Sequence, residues 1–257
     1  MKKAIIYTLV FAAIQILVPK LMNAMLGIIS GQQSESPTPN ATTIIIGMTA
    51  ASVVILFLFL YFRWAEVSRS YVRSRPWFAL FWCALAAAGA VIPSSWLQEQ
   101  IPELPNIAEQ EFDMILRDRW GYFAVGLLAP VCEELVFRGA ILRALLKSMS
   151  RHWVAIVVSA LLFALIHANP AQMPHAFVIG LLLGWLYYRT DSVVPGVVYH
   201  WVNNTIAYVL YNFYPDPSLR LADLFGSERS VAAAVLFSLF ILLPALYQLN
   251  LRLRKAQ

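Results

Sequence analysis

Residues 43–63 read TIIIGMTAASVVILFLFLYFR, an apolar run with no charged residue before Arg63. A helix of about 20 apolar residues spans roughly 30 Å, the thickness of the hydrocarbon core of a bilayer. Seven further apolar blocks occur in the 257-residue chain. Together the blocks cover residues 4–29, 43–63, 77–97, 120–142, 153–168, 174–188, 193–212 and 231–249. The sequence therefore predicts an all-α integral membrane protein, a bundle of about eight transmembrane helices.

The composition supports one membrane domain over residues 1–257. The chain is 60% hydrophobic and 13% charged, whereas a soluble domain is about half apolar and a quarter charged. A polar loop is predicted at 30–42, and the acidic segment 98–118 is predicted to form an interfacial helix. The net charge of +5 is explained by basic residues beside the apolar blocks, so the expected partner is the lipid bilayer and not a nucleic acid.

The distribution of basic residues predicts the orientation of the helices. With the N-terminus in the cytoplasm, most Lys and Arg residues next to the blocks fall on the cytoplasmic side, as the positive-inside rule requires. These residues are Lys2, Lys3, Arg63, Arg69, Arg73, Arg75, Arg143, Lys147, Arg151, Arg189, Arg252, Arg254 and Lys255. The opposite side holds only Arg117, Arg119, Arg220 and Arg229. We therefore expect a multi-pass protein of the inner (plasma) membrane with both termini in the cytoplasm.

Ionisable residues inside the fourth block indicate a function, because such groups are costly within a membrane. Glu134 and Arg138 are four residues apart, so they share a helix face and are expected to pair. Glu133 points about 100° away from Glu134 and has no cation close in sequence. A second carboxylate beside a satisfied pair suits general acid or base catalysis. The alternative is a structural ion network of all three residues.

Two later blocks carry polar residues at comparable depth. His167 lies near the end of the fifth block, and His200 and Asn204 share one face of the seventh. At 1.5 Å per residue, these residues and Glu133 overlap in depth within the error of the block boundaries. The set resembles a hydrolase site, with a base for water and donors for an oxyanion. Glu133, His167 and His200 could instead bind zinc, although the common His-Glu-x-x-His helix is absent.

The motifs Glu133-Glu134-x-x-x-Arg138, Phe163-x-x-x-His167 and His200-x-x-x-Asn204 resemble, in this order, those of the CPBP family. This is the CAAX-protease and bacteriocin-processing (Abi) group of intramembrane proteases, which includes type II CAAX prenyl endopeptidases. The resemblance covers about 120–210 and implies that these residues form the catalytic core helices. It also implies an eight-helix bundle with an intramembrane cavity open to the cytoplasm.

The resemblance implies roles for the site residues. Glu133 with His167 would activate a water, and His200 with Asn204 would stabilise the oxyanion. Glu134, Arg138 and Phe163 would support them. The expected reaction is hydrolysis of a peptide bond in a peptide or membrane-protein substrate. The family has been described both as zinc metalloproteases and as glutamate-dependent enzymes without a metal. The resemblance therefore leaves open whether the chain binds zinc as a cofactor.

Two other histidines are weaker candidates for the site. His175 follows His167 across a short turn and is a minor candidate for the site, whereas His152, beside Arg151 and Trp153, is interpreted as an interfacial residue.

A non-proteolytic membrane scaffold or bacteriocin-immunity protein is the alternative function. A transporter is disfavoured because the chain shows no internal repeat.

Overall fold

A computed structural model describes residues 1–29, 40–216 and 219–253 of the chain. Over these residues the fold is all-α, with no strand. Arg254, Lys255 and residues 30–39 of the predicted loop 30–42 lie outside the described residues. The rest of that loop differs from the prediction, since α2 already begins at Ala41. The cause is Asn40, whose side chain accepts a hydrogen bond from the Thr43 backbone N–H at 2.9 Å and so caps the helix.

The helical elements follow the apolar blocks in order. They are α1 (Lys2–Ile29), α2 (Ala41–Tyr61), α3 (Arg69–Arg73), α4 (Trp77–Glu99), α5 (Glu109–Arg117), π1 (Tyr122–Leu128), α6 (Ala129–Val136), π2 (Phe137–Leu142), α7 (Arg143–Ser148), α8 (His152–Ile166), α9 (Met173–Thr190), α10 (Val194–Phe213), α11 (Leu221–Phe225) and α12 (Glu228–Arg252). The elements π1 to α7 form one continuous helical segment at 122–148. Within the described ranges, each of the eight apolar blocks thus corresponds to one long helical segment.

The molecule is an all-α, multi-pass membrane protein. Four of the described helices, α1, α2, α4 and α12, are long and apolar enough to cross a membrane. Large apolar side chains such as Phe57, Phe237 and Phe240 are exposed on their outer faces, where lipid would surround them. The segments that carry the ionisable residues are shorter, interrupted or more polar. The prediction of eight membrane crossings stays a prediction.

The segment 122–148 changes its helical pitch twice. Pro130 lacks a backbone N–H and crowds the preceding turn, and the π-helical turns of π1 end directly before α6. A second π-helical stretch, π2, follows α6. Wide turns of this kind often occur at functional sites because they turn side chains to new directions. Here they bracket the helix that carries Glu133 and Glu134.

One end of the bundle collects the segments predicted to face the cytoplasm. The amino group of Met1 donates to Ser148 Oγ at 3.1 Å, Arg143 forms an ion pair with Glu66, and Arg189 donates to Asn250 Oδ1 at 2.9 Å. We call this the cationic end, comprising 62–76, 143–151, 189–193 and 250–253.

The opposite end collects the acidic segment and the remaining loops. Asn169 donates to Asn106 Oδ1 at 2.8 Å, Glu99 accepts from the Leu221 backbone N–H at 2.7 Å, and Tyr211 donates to Asp113. We call this the α5 end, comprising 98–118, 167–172 and 214–225 within the described residues. The predicted helix in 98–118 is present as α5.

Candidate active site

The predicted pair of Glu134 and Arg138 forms the buried centre of the site. Arg138 Nη1 donates to Glu134 Oε1 at 2.8 Å, and the side chains are 1% and 0% exposed. Arg138 also donates through Nη2 to the Gly180 carbonyl at 3.3 Å. Its guanidinium carbon lies 4.4 Å from the centre of the Phe163 ring, a distance typical of a cation–π contact. Through these contacts the pair connects α6 and π2 with Phe163 of α8 and Gly180 of α9.

Gly196 of α10 makes room for the Glu134 carboxylate. A Cβ atom at this position would lie 2.6 Å from Glu134 Oε2 and 3.4 Å from its Cδ. Any larger residue would displace the carboxylate or push α10 away. Gly196 is thus a residue on which the site's geometry depends, and the sequence motifs do not include it.

His200 lies between the two glutamates. Its Nδ1 is 3.1 Å from Glu134 Oε1, and its Nε2 is 3.8 Å from Glu133 Oε2. Because Glu134 is paired with Arg138 and its carboxylate only accepts, the proton of this hydrogen bond belongs to His200 Nδ1. A second proton, on Nε2, would make His200 an imidazolium that faces Glu133.

The charges of this cluster require one further proton for neutrality. Glu133, Glu134 and Arg138 contribute two carboxylates and one guanidinium. Glu134, Arg138 and His200 are almost fully buried, and the Glu133 side chain is 19% exposed. An uncompensated charge at such a position is expensive.

Phe163 holds the second histidine beside the first. Its ring centre lies 4.9 Å from that of His167 and 5.9 Å from that of His200, edge to face in both cases. His167 is the C-cap residue of α8, and its Nδ1 lies 2.7 Å from the Phe163 carbonyl oxygen. A carbonyl only accepts, so Nδ1 carries the proton and Nε2 of the neutral ring is an acceptor. His167 can therefore accept a hydrogen bond from a water.

Asn204 lies one turn beyond His200 on α10. Its Nδ2 donates to the Val125 carbonyl at 3.0 Å, and its Oδ1 accepts from Asn203 Nδ2 at 3.3 Å. An amide nitrogen has two N–H groups, so one donor is left for a ligand. The contact with Val125 also fixes α10 against π1, the wide turn before Pro130.

The structure brings some predicted residues into contact and leaves others apart. Glu134, Arg138, Phe163, His167 and His200 form one chain of contacts, with Glu133 beside His200. Within the part of the chain that the structure describes, Glu133 and His167 form no hydrogen bond or ion pair with each other, so a water would have to bridge them. The His152 ring stacks on that of Tyr188, with ring centres 4.2 Å apart, next to the cationic end, and its interfacial role stays a prediction.

His175 is closer to the site than the sequence suggested. It lies in the first turn of α9, half-buried and within electrostatic range of both His200 and His167. The signal in the sequence was its position eight residues after His167, across a short turn. That spacing alone does not fix which face of α9 turns inward.

The site residues do not fit a metal ion as they are arranged. Among residues 1–29, 40–216 and 219–253, no group of three or more His, Cys, Asp or Glu side chains is placed to hold one. Glu133, His167 and His200 are therefore close without forming a ligand set.

Comparison with known proteins supports the family resemblance. Residues 116–206 match the family model described as type II CAAX prenyl endopeptidase Rce1-like, and this segment contains every site residue described above. The resemblance predicted from the three motifs is thus confirmed over the segment that carries them.

The chain also resembles the UPF0177 protein YxdF of Lactococcus lactis subsp. lactis (strain IL1403). The two are 26% identical over 105 residues, which is 40% of this chain and 52% of that protein. The chain thus matches about half the length of this curated relative. No solved structure matches the chain significantly.

Proposed function

We propose that the chain, whose segment 116–206 matches the type II CAAX prenyl endopeptidase family, is an intramembrane endopeptidase. It would hydrolyse a peptide bond in a peptide or membrane-associated protein. The observation that carries the proposal is the position of His200 between Glu133 and Glu134, with His167 held beside it by Phe163. This arrangement supplies a proton acceptor and charged donors in a low-dielectric site.

In the proposed first step, Glu133 acts as the general base. A water bound between Glu133 and His167 Nε2 gives one proton to the Glu133 carboxylate, and its oxygen attacks the carbonyl carbon of the scissile bond. His167 orients the water by accepting its second hydrogen. Collapse of the tetrahedral intermediate breaks the C–N bond, and the proton on Glu133 passes to the leaving nitrogen.

The developing oxyanion would be stabilised from α10. His200 in its imidazolium form donates through Nε2, and Asn204 donates through its free N–H. Glu134 is a positioning residue, because it holds the proton of His200 on Nδ1 and leaves Nε2 to face the reacting atoms. Arg138 balances the charge of Glu134.

We propose further that the protein lies in the plasma membrane with both termini in the cytoplasm. The support is the grouping of its basic segments. The contacts of Met1 with Ser148, of Arg143 with Glu66 and of Arg189 with Asn250 gather these segments at one end. The positive-inside rule assigns such an end to the cytoplasm.

Substitution of Glu133 tests the proposed activity. The purified protein in proteoliposomes is assayed with quenched-fluorescent peptides that include prenylated C-terminal Cys peptides. Glu133→Gln should abolish cleavage and leave the folded protein intact, because the amide no longer accepts a proton. Asn204→Ala should keep residual turnover, since loss of one oxyanion donor costs roughly 10²–10³-fold.

The matched control is Glu103→Gln, at an exposed carboxylate of the α5 end, which should cleave like the unmodified protein. If Glu133→Gln retained full cleavage, the assignment of this site to proteolysis would be wrong. If a biological effect of the protein survived Glu133→Ala, a scaffold or immunity role would replace the protease.

A further inference from the structure

We propose that Pro130 positions Asn204 for the reaction by leaving one backbone carbonyl of π1, that of Val125, without its regular helical donor. The Asn204 side chain supplies a donor in its place and is thereby held in one orientation. The inference rests on the proposed function for the part that Asn204 plays in the reaction. The hydrogen bond and its dependence on Pro130 follow from helix geometry and are independent of catalysis.

Within the helical segment 122–136, which the structure describes throughout, the Val125 carbonyl is left without its regular donors. In an α-helix it would accept from the N–H four residues later, which belongs to Ala129. In π1 the Ala129 N–H donates to the Ala124 carbonyl instead. In the π-helical pattern the Val125 carbonyl would accept from residue 130, five residues later. That residue is a proline, which has no N–H.

The Asn204 side chain takes the place of the missing donor. Its Nδ2 lies 3.0 Å from the Val125 carbonyl oxygen, and its Oδ1 accepts from Asn203 Nδ2 at 3.3 Å. Because a carbonyl only accepts, the nitrogen of the amide faces Val125. Contacts on both amide atoms fix the orientation of the group, so its second N–H has one direction. Without this bond the half-buried Val125 carbonyl would lose a partner, which is costly.

Pro130 also explains the wide turn that precedes it. The proline ring crowds the carbonyl four residues earlier, that of Gly126, and this disfavours the α-helical pattern of π1. The absence of a side chain at Gly126 lets the Tyr122 ring lie against the turn, since a Cβ there would lie 2.4 Å from that ring. The proline therefore sets both the pitch of π1 and the state of the Val125 carbonyl.

A second set of hydrogen bonds keeps π1 and α10 in this register. The Tyr122 hydroxyl accepts from Trp201 Nε1 at 3.0 Å and lies 3.0 Å from Thr205 Oγ1. Thr205 donates its own hydrogen to the Trp201 carbonyl at 2.7 Å, so Tyr122 is the donor toward Thr205. Asn204 thus precedes a residue that is itself bonded to π1, and a shift of either helix would break both contacts.

A double-mutant cycle on stability tests the inference without any substrate. Melting temperatures in detergent are compared for the unmodified protein, Pro130→Ala, Asn204→Ala and the double variant. Pro130→Ala restores an N–H at position 130, which can pair with the Val125 carbonyl. Asn204→Ala should therefore lower the melting temperature of the unmodified chain by about 2–4 °C and that of the Pro130→Ala chain by less, a coupling that independent positions do not show.

Equal lowering in both backgrounds, or no lowering in either, would overturn the inference. Pro130→Val is the second variant, because it keeps an apolar side chain and also restores the N–H, and it should behave like Pro130→Ala. Failure of both variants to fold would overturn the inference as well, since it assigns the proline to positioning and not to folding. The matched control is Pro244→Ala, at an exposed proline inside α12, in which Asn204→Ala should act as in the unmodified chain.

Turnover is the second measurement. The kcat of Pro130→Ala should fall toward that of Asn204→Ala, roughly 10²–10³-fold, with little change in KM. The double variant should be no slower than Asn204→Ala alone. Full kcat in Pro130→Ala would overturn the positioning role. If the unmodified protein cleaves no peptide, the proposed function is wrong, and the stability cycle still decides whether Pro130 controls Asn204.

Discussion

At the scale of single residues, the site depends on hydrogen-bond geometry around one carboxylate. Glu134 Oε1 accepts from both Arg138 and His200, while Glu134 Oε2 is buried without a hydrogen-bond partner. The carboxylate therefore has little freedom to shift without losing one of these bonds. In the proposed mechanism, Glu134 holds the proton of His200 on Nδ1, and the Nε2 side of the ring faces the reacting atoms.

Gly196 provides a direct test of this positioning. In Gly196→Ala, the added Cβ would lie 2.6 Å from Glu134 Oε2, so the carboxylate must move away from His200. We expect lower activity and a loss of about 1–3 kcal/mol in the free energy of unfolding, the usual cost of overpacking. The measurements are peptide cleavage and a thermal melt in detergent. Val197→Ala, at the next position, is the control, and equal effects of the two substitutions would contradict the positioning role.

The three motifs predict only part of this residue-scale arrangement. The pair Glu134–Arg138 follows from a spacing of four on one helix, and the structure contains it. The contact of His200 with Glu134 joins residues 66 positions apart, and its existence depends on the register between α6 and α10. Gly196 was not assigned to the site and His175 was only a minor candidate, because a small residue or a histidine near a helix end has many ordinary roles.

At the scale of helices, Arg138 connects three elements. It pairs with Glu134, donates to the Gly180 carbonyl of α9 and lies over the Phe163 ring of α8. Each of these contacts is buried, and removal of Arg138 would leave the Glu134 carboxylate without a countercharge. The residue therefore belongs to the packing of the core as much as to the site.

We expect Arg138→Ala to reduce the level of folded protein as well as its activity. Removal of one partner of a buried ion pair costs about 3–5 kcal/mol. The measurement is the amount of monodisperse protein after extraction from the membrane, together with its melting temperature. Arg229→Ala, at an exposed arginine of α12, is the control. A normal yield of inactive Arg138→Ala would indicate a direct catalytic role instead.

The helix boundaries show what hydropathy patterns can and cannot predict. The eight apolar blocks match eight helical segments among the described residues, and four of these helices are long and apolar enough to cross a membrane. The π-helical turns on either side of α6 were not predicted. Pro130 indicates an irregularity, but its form depends on how α10 and α2 pack against this segment.

At the scale of the whole molecule, the charge pattern and the site give different information. Basic residues predict which segments share a side, and the contacts at the two ends agree with that grouping. The direction in which the site opens stays a prediction, since a cavity open to the cytoplasm is implied only by the family resemblance.

The arrangement of the site leads to a prediction about metal dependence. Because the carboxylates and histidines are not placed as a ligand set within the described residues, cleavage should be unchanged by a chelator that has access to both sides of the membrane. Elemental analysis of the purified protein is the second measurement. About one zinc per chain, with activity lost on chelation and regained with zinc, would contradict the metal-free mechanism.

In the proposed mechanism, Glu133 activates a water that hydrolyses a peptide bond. The most direct measurement is mass spectrometry of a cleaved peptide after reaction in H₂¹⁸O. We expect one solvent oxygen in the new C-terminal carboxylate with the unmodified protein, and no cleavage product with Glu133→Gln. The same labelled product formed by Glu133→Gln at an undiminished rate would contradict it.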